Sequence, residues 1–174
     1  MKKTILIVLI ILFVTGIFTY IFYSKQNNYS SLVDRRIEIN NNLNYLSNKN
    51  FKSNKITVNN VGIGDSLQKL NKDNNLNMNS DIWNNDWTEK INNVSYRINS
   101  NNKIVEINLS NEFIKPLAIN REELIKIKFG KPDEIKIKFE DFKYYYYYDR
   151  GIIITYWAPA GTSLSEISIN IISK

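Results

Sequence analysis

Residues 4–23 (TILIVLIILFVTGIFTYIFY) run for twenty positions without a charge, Asn, Gln or Pro. As a helix rising about 1.5 Å per residue, such a run covers roughly 30 Å, the thickness of a bilayer's hydrocarbon core. Lys2 and Lys3 precede it, Tyr20 and Tyr23 fall where an aromatic belt forms, and Lys25 closes the far end. The run is longer than the roughly 7–15-residue core of a secretory signal, and no A-x-A-like pair follows it. The pattern predicts an uncleaved signal-anchor in contact with the lipid bilayer through residues 4–23, with 1–3 as a cytoplasmic stub. The C-terminal domain is then expected outside the cytoplasm, on a single-pass protein of the cell membrane.

Charge placement narrows what that domain can bind. The net charge is +6, yet residues 61–174 carry 15 charges of each sign. Affinity for nucleic acid comes largely from neutralising phosphates, so a neutral domain predicts no nucleic-acid partner. The excess lies in residues 24–60, next to the membrane, where a solvated juxtamembrane stretch accounts for it.

The chain has no cysteine and no histidine. That removes disulfides, lipidation at a cysteine, Ser-His and Cys-His nucleophiles, and the common zinc sites. Carboxylate chemistry and lysine chemistry survive, and so do oxygen-ligand calcium sites. No metal, cofactor or catalytic residue is singled out by the sequence. Asparagine is very abundant, and pairs such as Asn59-Asn60 read as compositional bias rather than as a device.

Residues 24–55 are polar and Asn-rich, with Leu32, Ile39, Leu43 and Leu46 at near-heptad spacing. They predict a short helix and a linker, together a stalk between membrane and domain. From Ile56 the texture changes. Val61-Gly62-Ile63-Gly64-Asp65-Ser66 reads as a glycine turn into a short helix, capped by Asp65 or Ser66 with Leu67 and Leu70 facing inward. Residues 82–87 read as extended. A hairpin follows, with Val94, Tyr96 and Ile98 against Ile107 and Leu109. Then comes a helix capped by Asn120, with Leu124 and Ile127 inward and a stop at Gly130-Lys131-Pro132. Ile135, Ile137 and Phe139 alternate with Lys136 and Lys138. Residues 144–148 and 152–157 form further strands. In 166–172, Ile167, Ile169 and Ile171 face in while Ser168 and Asn170 face out. Helix then antiparallel strands, twice over, predicts an α+β domain at 56–174, in units of about 56–112 and 117–174.

The element "I-x-x-G-(polar)-S/T … L-G-x-P" followed by an antiparallel meander resembles the BamE-like (SmpA/OmlA) small extracytoplasmic domains. The match is split between the two units. The first keeps the opening, Val61-Gly62-Ile63-Gly64-Asp65-Ser66, without the Gly-x-Pro close. The second keeps the close, Phe129-Gly130-Lys131-Pro132, without the opening glycine; together they cover about 110 residues. The resemblance implies an envelope assembly or interaction module and no enzymatic activity.

Two aromatic groups are the candidate partner-binding residues. Tyr144, Tyr145, Tyr146, Tyr147 and Tyr148 are consecutive. In a strand 144, 146 and 148 share one face and 145 and 147 the other, so one set supplies core and the other an exposed phenolic patch. Trp83 and Trp87 are four apart and suit stacking on a sugar or peptide. A paired-carboxylate hydrolase would need two of Asp81, Asp86, Glu89, Glu140, Asp141 and Asp149 about 5–9 Å apart. The expected function is therefore a membrane-anchored bacterial binding or envelope-assembly protein, with a protein or envelope-polymer partner. The alternatives are an immunity- or inhibitor-type protein at the membrane and, further off, a carboxylate-dependent hydrolase. The tyrosine strand is a candidate sheet edge, and the sequence leaves the oligomeric state open.

Overall fold

The computed structural model describes residues 36–78, 88, 90–139, 141–161 and 165–173. The apolar run 4–23, the first part of the expected stalk, the 82–87 segment with Trp83 and Trp87, and the carboxylates Asp81, Asp86, Glu89 and Glu140 lie outside them. Among the described residues no helix is long and apolar enough to cross a membrane. Arg36–Lys174 forms one compact unit.

The unit is α+β, a small antiparallel sheet with few helices. Strand β1 (Ile37–Glu38) pairs parallel with β2 (Ile56–Thr57), and three 3-10 turns, Ile39–Asn41, Leu43–Ser47 and Ser53–Lys55, lie between them. Helix α1 (Leu67–Asn74) leads to the hairpin β3 (Val94–Ile98) and β4 (Ile104–Leu109). A short helix α2 (Asn111–Ile114) and helix α3 (Glu122–Phe129) follow. Then come β5 (Glu134–Lys138), β6 (Phe142–Tyr147), β7 (Ile152–Trp157) and β8 (Glu166–Ile172). Helix-then-strands does occur twice along the chain. The strands, however, merge into one six-stranded sheet in the order β3-β4-β8-β7-β6-β5, because β8 returns to pair with β4.

Residues 36–55 depart from the stalk expectation. No α-helix forms there, and Ile39, Leu46 and Phe51 are fully buried in the same apolar cluster as the sheet's inner face. The leucine spacing reflects burial in irregular turns rather than a helical stripe. The folded unit therefore starts at Arg36, some twenty residues before Ile56.

Arg36 is fastened to the turn that opens α1. Its guanidinium lies 2.8 Å from Asp65, Lys69 lies 2.7 Å from the same carboxylate, and the Gly62 N–H donates to it at 2.9 Å. Ser66, not Asp65, is the helix cap, accepting from the Lys69 N–H at 3.2 Å. Leu67 and Leu70 face inward as expected. Helix α3 is rotated from its expected setting. Ile125 and Phe129 are the buried pair, Ile127 is exposed, and Arg121, whose side chain makes no cap, stands at the N-cap in place of Asn120.

Asp65 and Glu122 link this architecture to pH. Burial opposes ionisation at both sites, but Lys69, Gly62 and Arg36 at Asp65, and Lys143 and Tyr145 at Glu122, outweigh it and hold the carboxyls below their ordinary values. A folded-state pKa lower than the unfolded one adds stability above about pH 4, which is lost as pH falls through the folded value. Urea midpoints of the full chain should therefore fall below about pH 4. Asp65→Asn should lower the midpoint at pH 7 and change it less at pH 3; an equal loss at both would show that Asp65 carries no such linkage.

Candidate functional site

Register assigns each strand residue to one of two sheet faces. One inward row runs Val94, Leu109, Ile169, Ile154, Tyr145 and Ile135 from edge to edge. All but Ile135 are fully buried. The matching outward row is Ser95, Asn108, Asn170, Ile153, Tyr146 and Glu134, a change from aliphatic to amide, hydroxyl and phenol. The next outward rows are Ser168, Thr155, Tyr144 and Lys136, then Glu166, Trp157, Phe142 and Lys138.

The tyrosine run splits by parity as expected. Tyr145 and Tyr147 are buried in the core, whereas Tyr144 and Tyr146 are half-buried on the outward face and Tyr148 is exposed at the strand's end. Tyr147 donates to the Gly130 carbonyl at 3.1 Å, and burial pushes its phenol up to about 12. Arg150 lies 4.6 Å from the Tyr147 ring and 5.4 Å from Phe129, and donates to the Phe129 carbonyl at the end of α3. There it clamps the β6–β7 turn to a helix C-terminus, where a cation is favoured. The tyrosine strand is not a sheet edge, because β5 covers it.

On the outward face Tyr146 and Tyr148 approach at 5.5 Å, and Lys136 sits 4.9 Å over the Tyr146 ring. Tyr148 donates to Glu134, which raises the phenol to about 12 and lowers the carboxyl. Lys136, Ile137, Lys138, Tyr144 and Tyr146 line a hollow of about 510 Å³. A groove of about 420 Å³ opens beside it, its walls formed by Phe142, Trp157, Thr155, Ser168, Asn108 and Ser110, with Glu112, Glu166 and Lys90 also lining it. Phe142 and Trp157 stack at 5.9 Å, giving the groove a flat aromatic wall. Asn108 and Asn170 bond to each other across β4 and β8, which fixes both amides.

No family model matches the chain, and no curated protein matches it. Among solved structures it is similar to a DUF4309 family protein (YjgB) from Bacillus subtilis subsp. subtilis str. 168. The identity is 12%, the match covers 76% of this chain and 92% of that one, and the TM-score is 0.40.

Trp83 and Trp87 lie outside the described residues; among the described residues the outward face carries the aromatic side chains Tyr144, Tyr146, Phe142 and Trp157. Sequence reasoning missed Phe142, Trp157, Thr155 and Asn108. Their signal was present only as the polar half of each strand's alternation, and joining those halves requires the strand order. Asp141 and Asp149 flank opposite ends of β6, whose six residues separate them by roughly 20 Å, too far for paired-carboxylate catalysis. Asp65, Glu112 and Glu122 are, like Glu134, carboxyls held below their ordinary values.

Proposed function

We propose that the chain is a membrane-anchored extracytoplasmic binding protein of the bacterial envelope, of BamE-like type and without catalytic activity, which holds its partner on the outward sheet face. The observation that carries this reading is the Phe142–Trp157 wall, set beside amides, hydroxyls and the Tyr144/Tyr146 phenols on one continuous surface. Aromatic anchors bury much area at low entropic cost, and fixed amides and hydroxyls give them direction. The groove also holds two carboxylates, Glu112 and Glu166. General-acid catalysis needs one carboxyl raised towards neutrality. Glu112 is instead held low, by its own backbone N–H and the Ser110 hydroxyl. That chemistry suits accepting hydrogen bonds from a partner's hydroxyls or amides.

Photo-crosslinking of the full chain in intact cells tests the reading. A benzophenone side chain at Tyr144 or Trp157 should give discrete adducts, and one at Lys72, on the solvent side of helix α1, should not. Trp157→Ala should reduce the Tyr144 adduct roughly tenfold or more, as loss of an aromatic anchor does. Adducts of equal yield at all three positions would refute the assignment of the face. Protease digestion of a C-terminal tag in intact cells would support the proposed topology, and protection until lysis would reverse it.

A further inference from the structure

We propose that the outer edge of β5 is a homodimer interface, at which two copies pair antiparallel about a two-fold axis through Lys136. The inference is independent of the partner-binding reading, since it uses the sheet's edge and not its face.

The two edges of the sheet differ. At β3 the Thr88 N–H donates to the Tyr96 carbonyl at 2.9 Å, and the Tyr96 N–H donates to the Thr88 hydroxyl at 3.0 Å, so that edge is partly capped. β5 pairs with β6 alone among the described residues, which leaves its other side a template for a further strand. The exposed large apolar side chains gather at this end: Ile127 of α3, Ile135 and Ile137 of β5, Phe139 just after it, and Tyr148. An edge that no described strand pairs, bordered by exposed isoleucines, is a surface that association would bury.

The strand's own sequence, Glu134-Ile135-Lys136-Ile137-Lys138, says what fits there. A two-fold axis normal to the sheet keeps each face continuous only when residues of the same face lie opposite one another. With the axis at Lys136, Glu134 meets Lys138 of the second copy twice and Ile135 meets Ile137 twice. These are two opposite-charge pairs and two aliphatic pairs over the whole strand. Moving the axis to Ile137 sets Lys136 against Lys138 twice. Moving it to Ile135 keeps two opposite-charge pairs, Glu134 against Lys136, but gives up both isoleucine pairs, since Ile137 then meets Asp133 and Lys138 meets Pro132. The Lys136 self-contact is the cost of the favoured register. It is moderated because Lys136 already lies 3.4 Å from its own Glu134 and over the Tyr146 ring. Lysines on an edge discourage indiscriminate pairing; this spacing leaves a matching copy as the well-paired strand.

The absence of cysteine makes the register readable in the full chain. Lys136→Cys places two thiols opposite each other, at a separation close to what a disulfide spans. Mild oxidation of membranes carrying this variant with copper–phenanthroline should give a disulfide-linked dimer, and Ser95→Cys on β3 should not. In the Lys136→Cys background, Lys138→Glu should cut the yield several-fold, and adding Glu134→Lys should restore it. A yield at Lys136→Cys no higher than at Ser95→Cys would overturn the proposal. So would a double charge swap that fails to rescue, or a maximum at Ile135→Cys.

Discussion

Phe51→Ala should destabilise the folded unit by about 3–5 kcal/mol, the range for deleting a buried phenyl ring. The ring is fully buried, packs 5.7 Å from Tyr45 and belongs to the cluster that includes the sheet's inner face. Had residues 24–55 formed a solvated stalk, the same change would cost within about 0.5 kcal/mol. Urea unfolding of the full chain, followed by tryptophan fluorescence, separates the two outcomes. A midpoint unchanged by Phe51→Ala would show that the segment is peripheral. A mild effect of Lys49→Ala, on an exposed turn, would serve as the baseline.

The stretch around Phe51 also shows where the sequence stops being legible. Period-2 alternation gave the hairpin β3–β4 and the inward isoleucines of β8 directly, since one face of each strand is buried. Segment 36–55 has no period to read, because 3-10 turns bury single residues at irregular spacing. Asparagine abundance hid a second feature. Asn59-Asn60 and Asn92-Asn93 have positive φ at both positions, and each pair joins bridged residues, Val58 to Val61 and Ile91 to Val94. Two-residue hairpin turns of the I′ type require that backbone, and asparagine tolerates it. Discounting Asn59-Asn60 as composition missed its role, and Asn92-Asn93 passed unnoticed.

Parity within the tyrosine run was readable from strand geometry alone, and which set faces the core followed once β7 and α3 were placed. The groove was not readable. Its residues come from β4, β6, β7 and β8, from the start of α2 at Ser110–Glu112 and from Lys90, and the return of β8 to β4 brings the strands together. Ile135 and Ile137 carry the opposite lesson. Their alternation with lysine looks like an ordinary half-buried strand, but an edge position leaves them uncovered. Pattern specifies which side chains share a face, and strand order decides whether anything lies against it.

Gly151→Ala tests the junction on which that strand order depends. The turn from β6 to β7 meets both β8 and segment 36–55 at this residue. The Ile172 N–H donates to the Gly151 carbonyl at 2.9 Å, and the Ser53 N–H donates to the Arg150 carbonyl at 3.2 Å. Gly151 has φ +67°, and a Cβ there would stand 2.6 Å from the Ser53 hydroxyl oxygen and 2.9 Å from the Ile172 carbonyl oxygen. The serine hydroxyl can turn away, but the carbonyl belongs to paired backbone and cannot. Left-handed strain adds about 1 kcal/mol, and crowding against fixed backbone adds more, so a loss of about 3 kcal/mol is expected. Gly161→Ala supplies the comparison: its φ is +78° with nothing within 4 Å of the added methyl, so it should show the strain alone. Ser53→Gly combined with Gly151→Ala should recover only the side-chain part of the loss. Equal urea midpoints for Gly151→Ala and Gly161→Ala would mean that the turn does not press against Ser53 and Ile172, and the docking of segment 36–55 on the sheet would have to be redrawn.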